Sequence, residues 1–251
     1  MTLSPFELKG PDGKLIRGDR AEGSGRQVLF ITGFLSKRWG NKSKALAQWC
    51  GEVGWGFCCY DVRGFGDSEG TFTDYTLSDW IADARSVISM LPCSSGPITI
   101  VGNSLGGWIA WLMAQEHARI DRLILIAPAF DMMGVRAKTI PPQRRHDWHS
   151  AGWMPWDDDP LHREWPLSWK WVEESEAYWA ASFDRLRQVR TTILHGTGDT
   201  AIPPEGSREF VAHLRGRDPS YPIDLRLVPG DHRLSSAEHM ESLRRLLLEP
   251  V

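Results

Sequence analysis

The chain has 251 residues, 41% of them hydrophobic and 24% charged, with a formal net charge of −3. That length can bury a full core as one domain, and without a Lys/Arg block or an acidic tail neither nucleic acid nor a solvating segment is indicated. No stretch reaches the roughly 18 apolar residues of a membrane span.

The opening segment, "MTLSPFELKGPDGKLIRG", has no apolar core of signal-peptide length and no Arg-rich amphipathic pattern. It reads as mature protein, so a cytoplasmic chain is expected. Asp12-Gly13 predicts a hairpin turn. "RQVLFITGF" follows as a strand ending at Gly33, then an amphipathic helix over 43–53 and a strand in "WGFCCYD" ending at Asp61. After a glycine-rich loop, "GFGDSEGTFTD", Thr76 and Asp79 form a capping-box pattern before a helix carrying Trp80, Ile81, Ala84, Val87 and Ile88. Strands are expected at 97–102, 121–126, 191–195 and 223–228, and helices after Ser104, over 204–215 and over 235–248. This alternation, with near-continuous apolar strands at its centre, predicts an α/β fold: a mostly parallel sheet with helices on both faces.

Residues 130–185 break the rhythm. They are too many for an ordinary connection and hold seven of the 13 tryptophans: Trp148, Trp153, Trp156, Trp165, Trp169, Trp171 and Trp179. So aromatic a segment is not expected to be disordered. It reads as a folded, helical cap inserted into a core made of residues 1–129 and 186–251. The cysteines (Cys50, Cys58, Cys59 and Cys93) lack metal-ligand spacing and read as buried, reduced thiols, with Cys58 and Cys59 on opposite faces of one strand.

Ligands of such sheets bind at the carboxyl ends of the strands. Gly102-Asn103-Ser104-Leu105-Gly106 stands there and matches the nucleophile elbow G-x-S-x-G, a sharp strand-to-helix turn that exposes the serine. Asp199 in "HGTGDTAIP" and His232 in "VPGDHRLSS" follow later strands, which gives the order Ser, Asp, His. A serine hydroxyl needs a base to attack; His232 would supply it and Asp199 would orient the imidazole. Asp131, after the preceding strand, is the alternative acid. The amides of Leu105 and Phe34, with Leu35 in reserve for Phe34, are the expected oxyanion donors. His195 reads as structural. His146, His149 and His162 lack ligand spacing, so no metal is expected. "YDVRGFGDS" reads as a tight turn rather than a phosphate loop, since no Lys follows as in a P-loop, and "WDDDP" as a solvated helix start or turn.

The stretch "GFLSKRWGNKSKALAQWCGEVGWGFCCYDVRGFGDSEG", with "VGNSLGGW", "LHGTGDTAIP" and "DHRLS", resembles the mitochondrial palmitoyl-protein thioesterase and acyl-glucuronide hydrolase branch of the α/β-hydrolases. The likeness covers most of the chain outside residues 130–185. It implies hydrolysis of esters or thioesters through an acyl-serine, without a cofactor. The animal members carry a mitochondrial presequence, a pattern not seen in the opening segment here. An aromatic cap suggests an apolar or aromatic small-molecule substrate, with Leu35, Trp153, Trp156 and Trp169 as candidate contacts. The same triad could also serve carbon–carbon bond chemistry in a natural-product pathway, or a receptor that turns over poorly.

Overall fold

A computed structural model describes residues 2–92, 96–154 and 165–250. Trp156, His162, Cys93 and the "WDDDP" turn lie outside the described residues. Among the described residues, eight strands form one sheet in the order β1 (Ser4–Lys9), β2 (Leu15–Ala21), β4 (Gly56–Tyr60), β3 (Gln27–Ile31), β5 (Ile98–Asn103), β6 (Ile120–Ile126), β9 (Arg190–Gly196) and β10 (Ile223–Val228). β1 and β2 form the antiparallel hairpin that Asp12-Gly13 predicts, and β2 also runs antiparallel to β4. Every pairing from β4 to β10 is parallel. Parallel strands end at the same edge, so the loops after β3, β5, β6, β9 and β10 meet there.

Side-chain alternation divides the core into two layers. Leu29, Ile31, Cys58 and Tyr60 join the layer beneath α2 (Leu77–Met90) and α3 (Leu105–Glu116). Val28, Phe30, Phe57 and Cys59 join the layer beneath α1 (Asn41–Val53) and α8 (Ala237–Leu248). Cys58 and Cys59 therefore do face opposite ways. Burial pushes the Cys50 and Cys59 thiols up to about 12, which removes them as competing nucleophiles.

Helix ends differ from expectation where capping decides them. α1 starts two residues early because the Ser43 hydroxyl accepts the Gly40 amide at 2.8 Å. α8 starts two residues late because Ser236 is its cap, accepting the His239 amide at 3.2 Å. α7 (Pro204–Arg217) runs two residues past the expected end.

The 130–185 segment contains α4 (Met132–Thr139), α5 (Pro142–Ala151), the short antiparallel pair β7 (Trp153–Met154) and β8 (Leu167–Ser168), and α6 (Lys170–Ala181). It is thus not purely helical. Its apolar residues Trp148, Met154, Leu167, Trp171 and Val172 belong to the same buried cluster as α2 and α3. Polar contacts lock the two together. Trp108 and Trp111 of α3 donate their indole N–H groups to Ser182 Oγ (3.1 Å) and Ser182 O (3.0 Å). Glu174 of α6 accepts the Ser78 amide and the Thr76 hydroxyl, both at 2.9 Å, and so joins the capping box at the start of α2. Replacing Glu174 by Ala should cost about 1–2 kcal/mol in urea unfolding and speed limited proteolysis within 130–185, while Glu173→Ala on the same helix should do neither.

Candidate active site

The turn after β5 is steep because of what surrounds it. A Cβ on Gly106 would lie 2.3 Å from the carbonyl oxygens of Ile31 and Thr32, and one on Gly102 would lie 2.5 Å from the Gly106 carbonyl. Only glycine lets α3 start so close to β3 and β5. Ser104 between them has φ 53° and ψ −123°, a left-handed conformation that costs an L residue about 1–3 kcal/mol. The strain is held by backbone bonds: the Ser104 amide donates to Ile126 O at 2.8 Å, and its carbonyl accepts from Gly107 at 2.9 Å and Ala129 at 3.0 Å.

Ser104 Oγ lies 3.1 Å from His232 Nε2, and His232 Nδ1 lies 2.7 Å from Asp199 Oδ2. The carboxylate can only accept, so Nδ1 carries the proton and Nε2 is left to receive one from the serine. Asp199 is buried, and its other oxygen accepts the Ala201 amide (3.0 Å) and the Ile202 amide (2.8 Å). The alternative acid, Asp131, turns elsewhere. Its carboxylate sits over Gly134 in the first turn of α4 and pairs with Lys138 at 3.4 Å, and burial raises its pKa.

The two amides expected to bind an oxyanion, those of Leu105 and Phe34, both belong to segments beside the serine. Leu105 is the first residue of α3, so its N–H has no acceptor within the helix and lies at the positive end of the helix dipole. Phe34 sits in a tight turn in which Ser36 N donates to Gly33 O at 3.2 Å and Leu35 takes φ 51°. Gly33 closes on the elbow: a Cβ there would lie 3.0 Å from the Ser104 Cβ.

This turn is anchored by the loop "YDVRGFGDS". Buried Asp61 accepts the Arg38 amide at 2.6 Å and binds the Arg38 guanidinium. The same guanidinium reaches Asp19 at 2.6 Å and Asp67 at 2.7 Å. Burial opposes its charge, but the three carboxylates outweigh this and raise its pKa. Sequence reading took this loop as a turn and missed the anchor, because a carboxylate-to-arginine pairing 23 residues apart leaves no local pattern.

The candidate aromatic contacts lie in different surroundings. Trp153 is 44% exposed. Trp169 packs on Trp148 (5.3 Å) and His149 (4.9 Å), and lines a separate cleft with Lys138 and Glu176. The ring of Phe34 instead meets Trp171 at 5.5 Å, Trp80 at 5.6 Å and Phe72 at 5.9 Å. Trp165 extends this group, 5.4 Å from Phe72 and 5.5 Å from Phe65. A cleft of about 180 Å³ beside Gly33 is lined by Thr32, Lys37, Asn41, Lys42, Asn103 and Ser235 among others. No group of three His, Cys, Asp or Glu side chains placed to hold a metal occurs among the described residues.

The family described as "Serine aminopeptidase, S33" matches residues 26–223 of the chain. The bovine palmitoyl-protein thioesterase ABHD10, mitochondrial, is 25% identical over 242 residues, covering 94% of this chain and 76% of its own length. The human protein of that name is 26% identical over 247 residues, with the same coverage. Among solved structures, alpha/beta hydrolase domain-containing protein 10 from mouse matches with a TM-score of 0.85 at 24% identity, over 97% of this chain and 96% of its own. Est1E from Butyrivibrio proteoclasticus, solved with ferulic acid bound, matches with a TM-score of 0.77 at 22% identity, over 96% of both chains. These likenesses establish the α/β-hydrolase fold. They also overturn the cytoplasmic placement expected from the opening segment, because the mammalian relatives are mitochondrial by name.

If the Asp61–Arg38 contact holds the Phe34 turn in place, Asp61→Ala should lower kcat about 10- to 100-fold with a smaller change in KM. Steady-state kinetics on an activated ester would measure this.

Proposed function

The chain belongs to the serine aminopeptidase S33 family of α/β-hydrolases, and from that membership and the geometry above we propose that it cleaves esters or thioesters of apolar or aromatic acids through an acyl-Ser104 intermediate. Serine-hydrolase chemistry on ester or thioester bonds follows from the family together with the Ser–His–Asp arrangement. The observation that carries the assignment of roles is the unbroken chain of short contacts from Ser104 Oγ through His232 to Asp199.

In this reading Ser104 Oγ attacks the substrate carbonyl carbon while its proton passes to His232 Nε2. The carbonyl oxygen, now negative, is held by the N–H groups of Leu105 and Phe34. Collapse expels the alcohol or thiol, which takes the proton from Nε2. Water then repeats the sequence on the acyl-serine, releasing the acid and restoring the hydroxyl. Asp199 keeps the imidazole in the required tautomer and stabilises its transient charge. No cofactor enters any step.

The substrate class is supported by where the Phe34 ring goes. An acyl group leaving the oxyanion site beside Phe34 meets the half-buried rings of Phe34, Phe65 and Trp165, which rest on the buried rings of Phe72, Trp80 and Trp171. Flat indole faces supply apolar contact to a hydrocarbon or aromatic acid. In this reading acyl contact falls to Trp165 ahead of Trp153 and Trp169, with residues 130–185 serving as the lid. The name of the mammalian relatives, palmitoyl-protein thioesterase, agrees with a long apolar acyl group.

A fluorophosphonate probe should label the wild-type chain and not Ser104→Ala, and Ser104→Ala should lower turnover of p-nitrophenyl acyl esters by roughly 10⁴-fold or more. Absence of labelling in both would defeat the reading. Turnover of β-diketones in place of esters and thioesters would redirect it to carbon–carbon bond chemistry. Trp165→Ala should raise KM for a long-chain or aromatic ester more than for an acetyl ester; an equal effect on both would remove Trp165 from the acyl site.

A further inference from the structure

Asp199 is shared between two histidines. His195, at the end of β9, is completely buried, and its Nε2 lies 3.2 Å from Asp199 Oδ2, the same oxygen that meets His232. The direction of that contact follows from a third group. His195 Nε2 is also 2.9 Å from the carbonyl oxygen of Ile202, which can only accept, so Nε2 carries a hydrogen shared between the carbonyl and the carboxylate. On the far side of the ring, Nδ1 lies 2.8 Å from the hydroxyl of Ser207 in α7. Ser207 is itself fully buried. Two Ser–His–Asp chains therefore converge on one carboxylate, but substrate can reach only the one that ends at Ser104.

We propose that His195 is a positioning residue for the hydrolysis, fixing Asp199 and moderating its hold on His232. The proposal rests on the assignment of Ser104, His232 and Asp199 given above. The physical argument has two parts. With two amides on Oδ1 and the His195 N–H on Oδ2, the carboxylate cannot rotate without breaking bonds in a buried site, where unpaired acceptors are costly. The second donor on Oδ2 also draws off part of the charge that would otherwise go to His232. Hydrogen bonds to a carboxylate weaken its pull on a further proton. Removing the His195 donor leaves Asp199 a stronger acceptor, which favours the protonated form of His232. The base needs neutral His232, so the acid limb of the pH–rate profile then moves to higher pH.

Other charged groups of the described residues near this relay are Asp231 and Arg233 in the loop that carries His232, and Lys42 of α1, which bonds the Arg233 carbonyl. β9 and α7 face it with His195 and Ser207. Substitution of His195 leaves the charged groups in place, so a shift in the limb reports on the Asp199 contact.

The test uses the full chain, with each preparation normalised to fluorophosphonate-titrated sites and checked by thermal melting. His195→Leu should lower kcat on a p-nitrophenyl ester about 10-fold per titrated site, with KM little changed, and should move the acid limb up by about half a pH unit. His195→Gln, whose side-chain amide can reach the Nε2 position, should restore most of both. Ser207→Ala should move the limb in the same direction by less. Should His195→Leu fail to fold, His195→Asn, whose amide stops short of Nε2, carries the same expectation. A His195→Leu or His195→Asn enzyme with wild-type kcat and limb per titrated site overturns the proposal, and so does a lowered Tm with no kinetic change. Failure of the wild-type chain to label at Ser104 would instead count against the function reading beneath it.

Discussion

The φ of 53° at Ser104 is the constraint from which the geometry of the site follows. A serine does not adopt it unaided. It persists because Ile126, Gly107 and Ala129 hold its amide and carbonyl, and because Gly102 and Gly106 let α3 start against the carbonyls of β3. In that conformation the hydroxyl comes within 3.1 Å of His232 Nε2, next to the first residue of α3. Those holding bonds come from β6, the turn after it and α3, and the close approach comes from β3 on the other side of β5. The local conformation is therefore a property of the whole sheet, and a peptide of the same sequence would relax.

Around that point the chain spends many of its buried polar contacts on keeping loops still. Asp61 holds Arg38 and through it the turn that carries Phe34. Asp199 is held by four donors. Glu174 and Ser182 join the 130–185 segment to α2 and α3. Loops at the end of a parallel sheet have no ladder to order them, so buried ionic and amide contacts take that part. The aromatic residues act on the same loops by packing. The turn of Phe34 closes on the elbow at Gly33 while its ring meets Trp80 and Trp171, so that turn and the 130–185 segment share one contact surface.

Much of this was legible in the residues. The strand and helix alternation, the hairpin at Asp12-Gly13, the capping box at Thr76 and Asp79 and the elbow glycines are local patterns, and each appears where the pattern put it. The convergence of Ser104, Asp199 and His232 was legible because parallel strands deliver their following loops to one edge. Less could be read of the cap. Tryptophans at 153, 169 and 171 look alike in sequence, yet one is exposed, one packs on Trp148 and His149 and one lies buried against Phe34. Which way a ring points depends on the pairing of β7 with β8 and on how α6 docks, and neither leaves a periodic signal. The opening residues were a poor guide to location, as the mitochondrial relatives show.

The sequence by itself determined the fold class, the strained turn and the identity of the chemical groups, because these rest on periodicity, glycine and side-chain type within short windows. Only the tertiary structure decided that the alternative acid Asp131 turns away to Lys138, that His195 bonds the same Asp199 oxygen as His232, and which aromatics back the turn of Phe34. Those are contacts between residues far apart in the chain. Their distances are set by packing across the sheet and under the cap, which no local run of residues encodes.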